Sequence, residues 1–381
     1  MSRLETLHAA GQAIWLDYID RNLVRSGELA RRIKEDALTG MTSNPTIFEK
    51  ALATSTLYDA QVESSSAKTP WALFEEIATD DVRAACDVFR SVYDATNGGD
   101  GFVSIEVSPS VAHDTAATVS EAKRLWERVA RPNVMIKVPG TPEGVPAVRE
   151  LIAAGVNVNI TLLFAVEAHR RVIDAYLAGL EARSAGGKDI SRVASVASFF
   201  VSRVDTSIDA KLDAMAKDGK LDGPRATALK GQAAIANAKL AYTLFQQSFS
   251  GARWDALAKK GARVQRPLWA STSTKNPAYR DVIYVEELIG PDTVNTMPPA
   301  TLDAFRDHGE TRRTVDASVD AATRLLADLA GVGISLDAVT DQLLVEGLAS
   351  FQKSFDTLLA GLERKSQSLG RVLEQSLAGQ S

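Results

Sequence analysis

Short apolar runs alternate with longer amphipathic segments along most of the chain. Eight of these runs have the length and composition of buried strands. They are AIWLDYI (13–19), GMTSNP (40–45), GFVSIEVSP (101–109), NVMIKVPG (133–140), VNVNITLLF (156–164), RVASVASFFV (192–201), RVQRPLWAS (263–271) and DTVNTMPP (292–299). Most are followed by segments with helical periodicity, several of which begin with a cap residue or a proline. The pattern predicts an α/β protein with eight strands.

Eight strands that are mostly followed by helices favour a (β/α)8 TIM barrel, which commonly needs about 250 residues plus insertions. A doubly wound open sheet is the alternative. Its nucleotide-binding form usually shows a G-x-G-x-x-G turn after the first strand, and the sequence has none. We therefore predict a barrel that forms a single domain over residues 1–381.

Two segments exceed a minimal barrel. Residues 46–100 read as a helical insertion after the second strand, and residues 301–381 as a helical C-terminal extension. In the extension, apolar residues recur four and three apart, at Leu344, Leu348, Phe351, Phe355, Leu358 and Leu362. This spacing places one apolar stripe along a helix. We expect the stripe to dock on the body of the domain rather than to bind a partner.

Lys137 interrupts an apolar strand. Side chains alternate between the two faces of a strand, so Ile136 and Val138 share one face and Lys137 takes the other. Because helices cover the outside of a barrel, the apolar face points outward and Lys137 points into the interior. Burying an ammonium group is costly, which indicates a functional role for this lysine.

Other strands also place polar residues on their predicted inward faces. These are Asp17 on the first strand, Thr42 and Asn44 on the second, Glu106 on the third, Asn159 and Thr161 on the fifth, and Ser198, beside Phe200, on the sixth. Taken singly, such residues are usually packing polar groups or salt-bridge partners. Their convergence from several strands indicates an active site at the carboxyl ends of the barrel strands.

The residue types in this set favour Schiff-base chemistry. An enclosed lysine loses solvation for its charged form, so a larger fraction of the amine is neutral and nucleophilic. Its iminium with a ketone accepts the electrons of a neighbouring C–C bond. Two proton carriers are needed, and Asp17 and Glu106 are the inward carboxylates. The set therefore predicts class I aldol chemistry.

Composition argues against several other classes of protein. The single cysteine and four scattered histidines lack metal-site spacing, so no metal is expected. The net charge is −5 and no basic patch is visible, so a nucleic-acid partner is not expected. No signal-peptide pattern or run of membrane-spanning length occurs, which predicts a cytoplasmic protein without membrane association.

The chain resembles the transaldolases. The segments that carry the resemblance are GMTSNPTIF (40–48), SIEVSP (104–109), VMIKVPGTPEG (134–144), NITLLF (159–164) and FFVSRVD (199–205), in the expected order. The resemblance implies a transferase of the pentose phosphate pathway that needs no metal or organic cofactor. It would move a dihydroxyacetone unit from sedoheptulose 7-phosphate or fructose 6-phosphate to glyceraldehyde 3-phosphate or erythrose 4-phosphate.

The resemblance also implies residue roles. Lys137 would form the Schiff base at C2, and Asp17 would take the proton of the C4 hydroxyl. Glu106 would move protons through a water that Thr161 helps to hold. The remaining substrate-binding residues would be Thr42, Asn44, Asn159, Ser198 and Phe200, with the two asparagines holding substrate hydroxyls.

The phosphate site departs from the better-known members. Arg203 matches the first phosphate arginine, whereas Ser273 and Lys275 fall where many members have serine and arginine. A lysine keeps the charge but loses the planar, bidentate fork of a guanidinium. The acceptor preference is therefore left open.

Two other functions remain open at this stage. One is a lyase that releases dihydroxyacetone from fructose 6-phosphate, but the smaller relatives that do this lack a counterpart of Glu106 and tend to carry tyrosine at the position of Phe200. The other is a non-catalytic barrel that binds sugar phosphates. Either a monomer or a homodimer is compatible with the sequence.

Overall fold

The computed structural model describes residues 1–374, and in it eight parallel strands close into a barrel in sequence order. The strands are β1 (Gln12–Asp17), β2 (Leu38–Thr42), β3 (Phe102–Glu106), β4 (Val134–Pro139), β5 (Val158–Leu163), β6 (Ser195–Phe200), β7 (Arg266–Ala270) and β8 (Thr293–Met297). The predicted (β/α)8 barrel is confirmed. Strand β2 ends at Thr42, before the predicted end at Pro45, because Asn44 caps the helix that Pro45 begins.

Helices surround this barrel. They are α1 (Arg3–Ala9), α2 (Arg21–Arg25), α3 (Glu28–Glu35), α4 (Pro45–Thr54), α5 (Asp59–Ser64), α6 (Pro70–Val88), α7 (Arg90–Ala95), α8 (Thr115–Val129), α9 (Gly144–Ala154), α10 (Val166–Ala185), α11 (Ser202–Lys217), α12 (Gly223–Leu229), α13 (Ala233–Ser248), α14 (Ala252–Ala258), α15 (Ile283–Glu286), α16 (Pro299–His308), α17 (Val319–Gly331) and α18 (Leu336–Ser368). None of the helices within residues 1–374 is long and apolar enough to cross a membrane.

The lower end of the barrel interior is closed by Trp15. This residue lies two positions before Asp17 on β1 and therefore shares its inward face. A Cβ atom at Gly40 on the neighbouring strand would lie 2.5 Å from the indole ring, so only glycine leaves room for it. The indole N–H donates to Asp100 Oδ1 at 2.9 Å, and the same carboxylate pairs with Arg266. The barrel is thus packed beneath the level of Asp17 and open only above it.

Strand register brings the predicted catalytic residues together. Glu106 on β3 lies directly opposite Lys137 on β4, and Lys137 lies opposite Asn159 on β5. In a parallel pair, residues in register project their side chains to the same face. The carboxylate, the amine and the amide therefore stand side by side at the carboxyl ends of three neighbouring strands.

The segment 46–100 contains one helix that belongs to the barrel. Helix α6 packs on β3 and α8, as the helix that connects β2 to β3 should. Helices α4 and α5 are additional, and α4 packs along α18. The side chains of Thr46 on α4 and Ser354 on α18 share a hydrogen bond of 2.8 Å.

The apolar stripe of the C-terminal extension docks on this insertion, as predicted. Phe351, Phe355, Leu358 and Leu362 are buried. At the start of the helix the buried positions are Leu343 and Gly347, while Leu344 and Leu348 are half-buried. The stripe is displaced by one residue there because the helix faces Leu162 of β5 and Arg203 of α11 through Gly347.

An aromatic cluster fixes the extension to the insertion. The ring of Phe355 lies 5.1 Å from that of Trp71 and 5.8 Å from that of Phe74, and Phe74 lies 5.5 Å from Phe48. Such edge-to-face contacts add to the stabilisation from buried area.

Candidate active site

A cavity of about 300 Å³ opens at the carboxyl ends of the strands. Most of the predicted site residues line it: Asp17, Thr42, Asn44, Lys137, Thr161, Ser198, Phe200, Arg203, Ser273 and Lys275. Glu106 and Asn159 do not reach the cavity surface and stand behind its wall. The structure therefore brings the predicted set to one place, with two members in supporting positions.

The amine of Lys137 lies at the floor of the cavity. The residue is only 5% exposed, so the predicted burial is confirmed. Its surroundings are more polar than the sequence suggests. Nζ donates to the backbone carbonyl of Ser43 at 2.8 Å and lies 3.0 Å from Glu106 Oε2. A carboxylate oxygen is thus already in contact with the buried amine.

Glu106 is suited to accept that proton. Burial raises the pKa of its carboxyl, because the charged form loses solvation, and the charge of Asp17 raises it further. The attraction to Lys137 opposes both effects. Moving the proton from the ammonium to this carboxylate leaves two neutral groups in a buried setting, which reduces the desolvation cost of the pair. The raised pKa of Glu106 therefore favours its role as the proton acceptor of the pair.

Asp17 approaches the same amine from β1. Burial raises the pKa of this carboxyl, while Lys137 and a hydrogen bond from Thr42 oppose the rise. Thr42 Oγ1 lies 2.7 Å from Asp17 Oδ1 and 2.6 Å from Thr296 Oγ1. Since one hydroxyl has one proton and Thr42 donates to Asp17, Thr42 accepts from Thr296. Asp17 is thus held in one orientation with an oxygen left for a ligand.

The fifth and sixth strands form a separate hydrogen-bonded set. Ser198 donates to Asn159 Oδ1 at 2.6 Å, and Asn159 Nδ2 donates to Ser104 Oγ at 3.1 Å. Asn159 is fully buried with both ends of its amide engaged, so in this structure it holds Ser198 rather than facing the cavity. Thr161 differs, because its buried Oγ1 has no hydrogen-bond partner among residues 1–374. That oxygen is available to a water or a substrate hydroxyl.

Asn44 reaches the cavity from the start of α4. Its Oδ1 accepts from the backbone N–H of Ile47 at 3.0 Å, as an N-cap residue does. The cap uses the oxygen and leaves the amide Nδ2 to donate to a ligand. Capping also fixes the rotamer, so the donor is positioned before any ligand arrives.

Cations stand at the mouth of the cavity. The guanidinium of Arg203 lies 5.4 Å above the ring of Phe200 and makes no hydrogen bond or ion pair within residues 1–374. Burial lowers its pKa, and the carboxylate of Glu346 on α18 opposes that effect. On the loop after β7, Lys275 Nζ donates to Ser273 Oγ at 2.9 Å. An unpaired guanidinium beside a lysine and a hydroxyl is suited to bind a phosphate group.

The cavity has further lining residues that the sequence patterns did not identify. They are Thr46, Ile47, Lys50, Ala270, Ser271, Thr296 and Pro298. The sequence does carry a signal for Thr296, because the alternation of side chains along β8 places it on the inward face of the strand. Lys50 lies on the exposed side of an amphipathic helix, where lysine is ordinary, so the sequence carries no signal for it. Phe351 also lines the cavity, which places the C-terminal extension at its mouth.

A (β/α)8 barrel with a buried lysine beside a carboxylate at its open end is typical of enzymes that form a Schiff base with their substrate. The model of the transaldolase/fructose-6-phosphate aldolase family matches residues 14–362, so the chain belongs to this family.

Curated relatives are similar over nearly their whole lengths. A transaldolase from Thermobifida fusca is 50% identical over 94% of this chain and 96% of its own. A transaldolase from Trichodesmium erythraeum is 48% identical over 95% of this chain and 97% of its own. A protein named transaldolase 2 from Nostoc punctiforme is 50% identical over 95% of this chain and 97% of its own.

Proposed function

We propose that this protein is a transaldolase of the pentose phosphate pathway. It transfers a dihydroxyacetone unit from sedoheptulose 7-phosphate or fructose 6-phosphate to glyceraldehyde 3-phosphate or erythrose 4-phosphate. The similarity to proteins named transaldolase supports the class of reaction. The observation that carries the mechanism is the buried contact of 3.0 Å between Lys137 Nζ and Glu106 Oε2.

The first stage is formation of the Schiff base. Glu106 accepts a proton from Lys137, and the neutral amine attacks the C2 carbonyl of the ketose phosphate. The carbinolamine then loses its hydroxyl as water, for which Glu106 returns a proton. Thr161 Oγ1, buried and without a partner among residues 1–374, is placed to hold the water that carries these protons. The product is an iminium between Lys137 and C2.

The second stage breaks and remakes a C–C bond. Asp17 removes the proton of the C4 hydroxyl, the C3–C4 bond breaks, and its electron pair moves into the iminium to give an enamine. The aldose phosphate that contains C4 leaves. An acceptor aldose phosphate then enters, and the enamine carbon attacks its aldehyde while Asp17 returns the proton to the new hydroxyl. Hydrolysis of the resulting iminium releases the new ketose phosphate and Lys137.

The remaining residues position the two substrates. Asn44 Nδ2 and Ser198 Oγ face the cavity near Lys137 and hold hydroxyls of the three-carbon unit, with Asn159 orienting Ser198. Thr42 orients Asp17. At the mouth, Arg203, Ser273 and Lys275 hold the phosphate, and Phe200 supports the guanidinium of Arg203.

Borohydride trapping tests the nucleophile. The protein is incubated with fructose 6-phosphate, reduced with borohydride and analysed by peptide mass spectrometry. We expect a reduced dihydroxyacetone adduct on Lys137 and none in a Lys137→Arg variant treated in the same way. An unmodified Lys137 in active protein would exclude the Schiff-base mechanism, whereas an unmodified Lys137 in protein without transfer activity would leave the sugar-phosphate-binding barrel.

Acceptor dependence separates the transferase from the lyase of the same family. With fructose 6-phosphate alone we expect at most one turnover, because the enamine waits for an acceptor, and sustained turnover once erythrose 4-phosphate is added. Continuous release of free dihydroxyacetone without an acceptor would assign the lyase reaction instead.

A further inference from the structure

A glycine occupies an unusual place in the long C-terminal helix. Gly347 is buried in the interior of α18, where glycine is unfavourable relative to alanine because it gains no side-chain packing and loses more backbone entropy. A Cβ atom at this position would lie 2.9 Å from Leu162 Cδ2 and 3.6 Å from Arg203 Nη1. The first distance is too short for a real contact. The second distance is an ordinary contact, so it is Leu162 that the helix approaches closely only because residue 347 has no side chain.

The second glycine of α18 offers a contrast within the same helix. At Gly361 an added Cβ would meet only Arg364 Nη2, at 3.9 Å, which is an ordinary contact. Both glycines have the same helical backbone, so intrinsic helix preference affects them alike. The close approach at Gly347 is thus specific to the surface it faces.

That surface is part of the candidate active site. Leu162 directly follows Thr161 on β5 and has a left-handed backbone with φ of +59°, where the register of β5 with β6 shifts. A leucine adopts this conformation only where its surroundings hold it there. The backbone of α18 at Gly347 is one of those surroundings, because the Leu162 side chain packs directly against it.

Arg203 is the other side chain that Gly347 faces. One face of the guanidinium is covered by Phe200, and Nη1 points towards the backbone of α18 at Gly347. Among the described residues 1–374 no hydrogen bond or ion pair fixes the group, so its position depends on packing and on the attraction of the Glu346 carboxylate, which is also on α18. The position of α18 then determines how far the guanidinium can withdraw from the cavity mouth.

We propose that Gly347 is a positioning residue of the phosphate site. Its missing side chain lets α18 close on Leu162 and Arg203, and this contact keeps the guanidinium at the cavity mouth where the substrate phosphate binds. The inference rests on the proposed transaldolase function. It assigns the C-terminal helix a part in recognising phosphorylated acceptors without contact with the reacting atoms.

The test compares Gly347→Ala with the matched control Gly361→Ala in the full chain. Transfer from sedoheptulose 7-phosphate is measured with glyceraldehyde 3-phosphate and with unphosphorylated D-glyceraldehyde as acceptors, with the donor saturating, so that the products are fructose 6-phosphate and fructose. In Gly347→Ala we expect the KM for the phosphorylated acceptor to rise about tenfold, because a charge-assisted contact is misplaced. The kcat and the kcat/KM for D-glyceraldehyde should stay at the wild-type values, and Gly361→Ala should change none of these.

A second variant distinguishes the local contact with Leu162 from general damage to the helix. In Leu162→Ala/Gly347→Ala the shortened side chain leaves space for the new methyl group, so the KM for the phosphorylated acceptor should return to that of Leu162→Ala alone. An unchanged KM in Gly347→Ala, equal losses for both acceptors, or no recovery in the double variant would overturn the inference. A wild-type protein that fails to transfer to either acceptor would instead overturn the proposed function.

Discussion

The floor and the rim of the cavity are built in different ways. At the floor, Lys137 and Glu106 stand on neighbouring strands, are buried, and contact each other. At the rim, Arg203 and Lys275 stand on a helix and a loop, and the guanidinium has no polar partner within residues 1–374. The floor is fixed before substrate arrives, as proton transfer between groups about 3 Å apart requires. The rim keeps unpaired charge for an anion that the substrate brings.

The electrostatics of the two regions also differ. Burial raises the pKa of both Asp17 and Glu106 at the floor, so these carboxyls hold protons more readily than exposed ones. The rim cations are partly or fully exposed, and solvent screens them. Substitutions at the floor should therefore change the chemical step and its pH dependence. Substitutions at the rim should change mainly the KM of phosphorylated substrates and its salt dependence.

Removing the amine is the strongest test of the floor. Lys137→Ala should lower kcat/KM for transfer by at least about 10⁴-fold, since no neighbouring group can replace the nucleophile. Circular dichroism should show an intact fold, because the raised pKa of Glu106 lets the carboxyl take up a proton when its partner is gone. A variant that keeps measurable imine trapping would show that another amine carries the reaction.

Asp17→Asn should separate activity from stability. Loss of the proton acceptor should reduce kcat by about 10²–10⁴-fold. The same change should raise the melting temperature at pH 7, because a carboxyl whose pKa is raised in the folded state loses stability as pH rises through that pKa. The gain should disappear below the pKa of the unfolded chain, about 3.9. Thermal melts across this range check the sign, and a lower melting temperature at pH 7 would contradict it.

The pH dependence of imine formation reports on Glu106. Its raised pKa means that the deprotonated form, which accepts the proton of Lys137, is lost at a higher pH than for an exposed glutamate. As the pH is lowered, the rate of borohydride-trapped adduct formation should therefore fall, and the midpoint of this fall should lie above the usual glutamate pKa of about 4.3. In Asp17→Asn this midpoint should move to lower pH, because the negative charge that raises the pKa of Glu106 is removed. An unchanged midpoint would show that the two carboxyls do not interact.

Floor and rim also differ in what the sequence could predict. Strand alternation placed Lys137 inside the barrel and placed Glu106 on an inward face, but it carries no information on register, so their direct contact was not predicted. The same limit explains Asn159, whose face was right but whose hydrogen bonds to Ser198 and Ser104 remove it from the cavity surface. The position of Lys50 at the rim depends on how α4 tilts over the barrel, and no local sequence pattern specifies that tilt. The phosphate residues of the rim were found only through the resemblance to a family.

At the rim, Lys275→Arg should tighten phosphate binding. A guanidinium can make two parallel hydrogen bonds to a phosphate where an ammonium is a point charge. We expect the KM for glyceraldehyde 3-phosphate to fall by about threefold, with kcat unchanged, which corresponds to about 0.7 kcal/mol and lies within the net contribution of about 0.5–1.5 kcal/mol for one added hydrogen bond. The KM for unphosphorylated D-glyceraldehyde serves as the control and should not move. A raised KM would indicate that the loop after β7 is shaped for lysine.

Lys50 gives the smallest expected effect. It lies on α4, after β2, whereas Arg203 follows β6, so the two cations stand on opposite sides of the barrel mouth. Its ammonium is exposed and has no hydrogen bond or ion pair within residues 1–374, and it therefore adds to the field over the cavity without a fixed geometry. Lys50→Gln should raise the KM for phosphorylated acceptors by only about twofold at low salt, and the difference should fade towards 1 M salt, where the Debye length is about 3 Å. An effect that persists at high salt would mean that Lys50 contacts the phosphate directly, and the rim would then be as closely fitted as the floor.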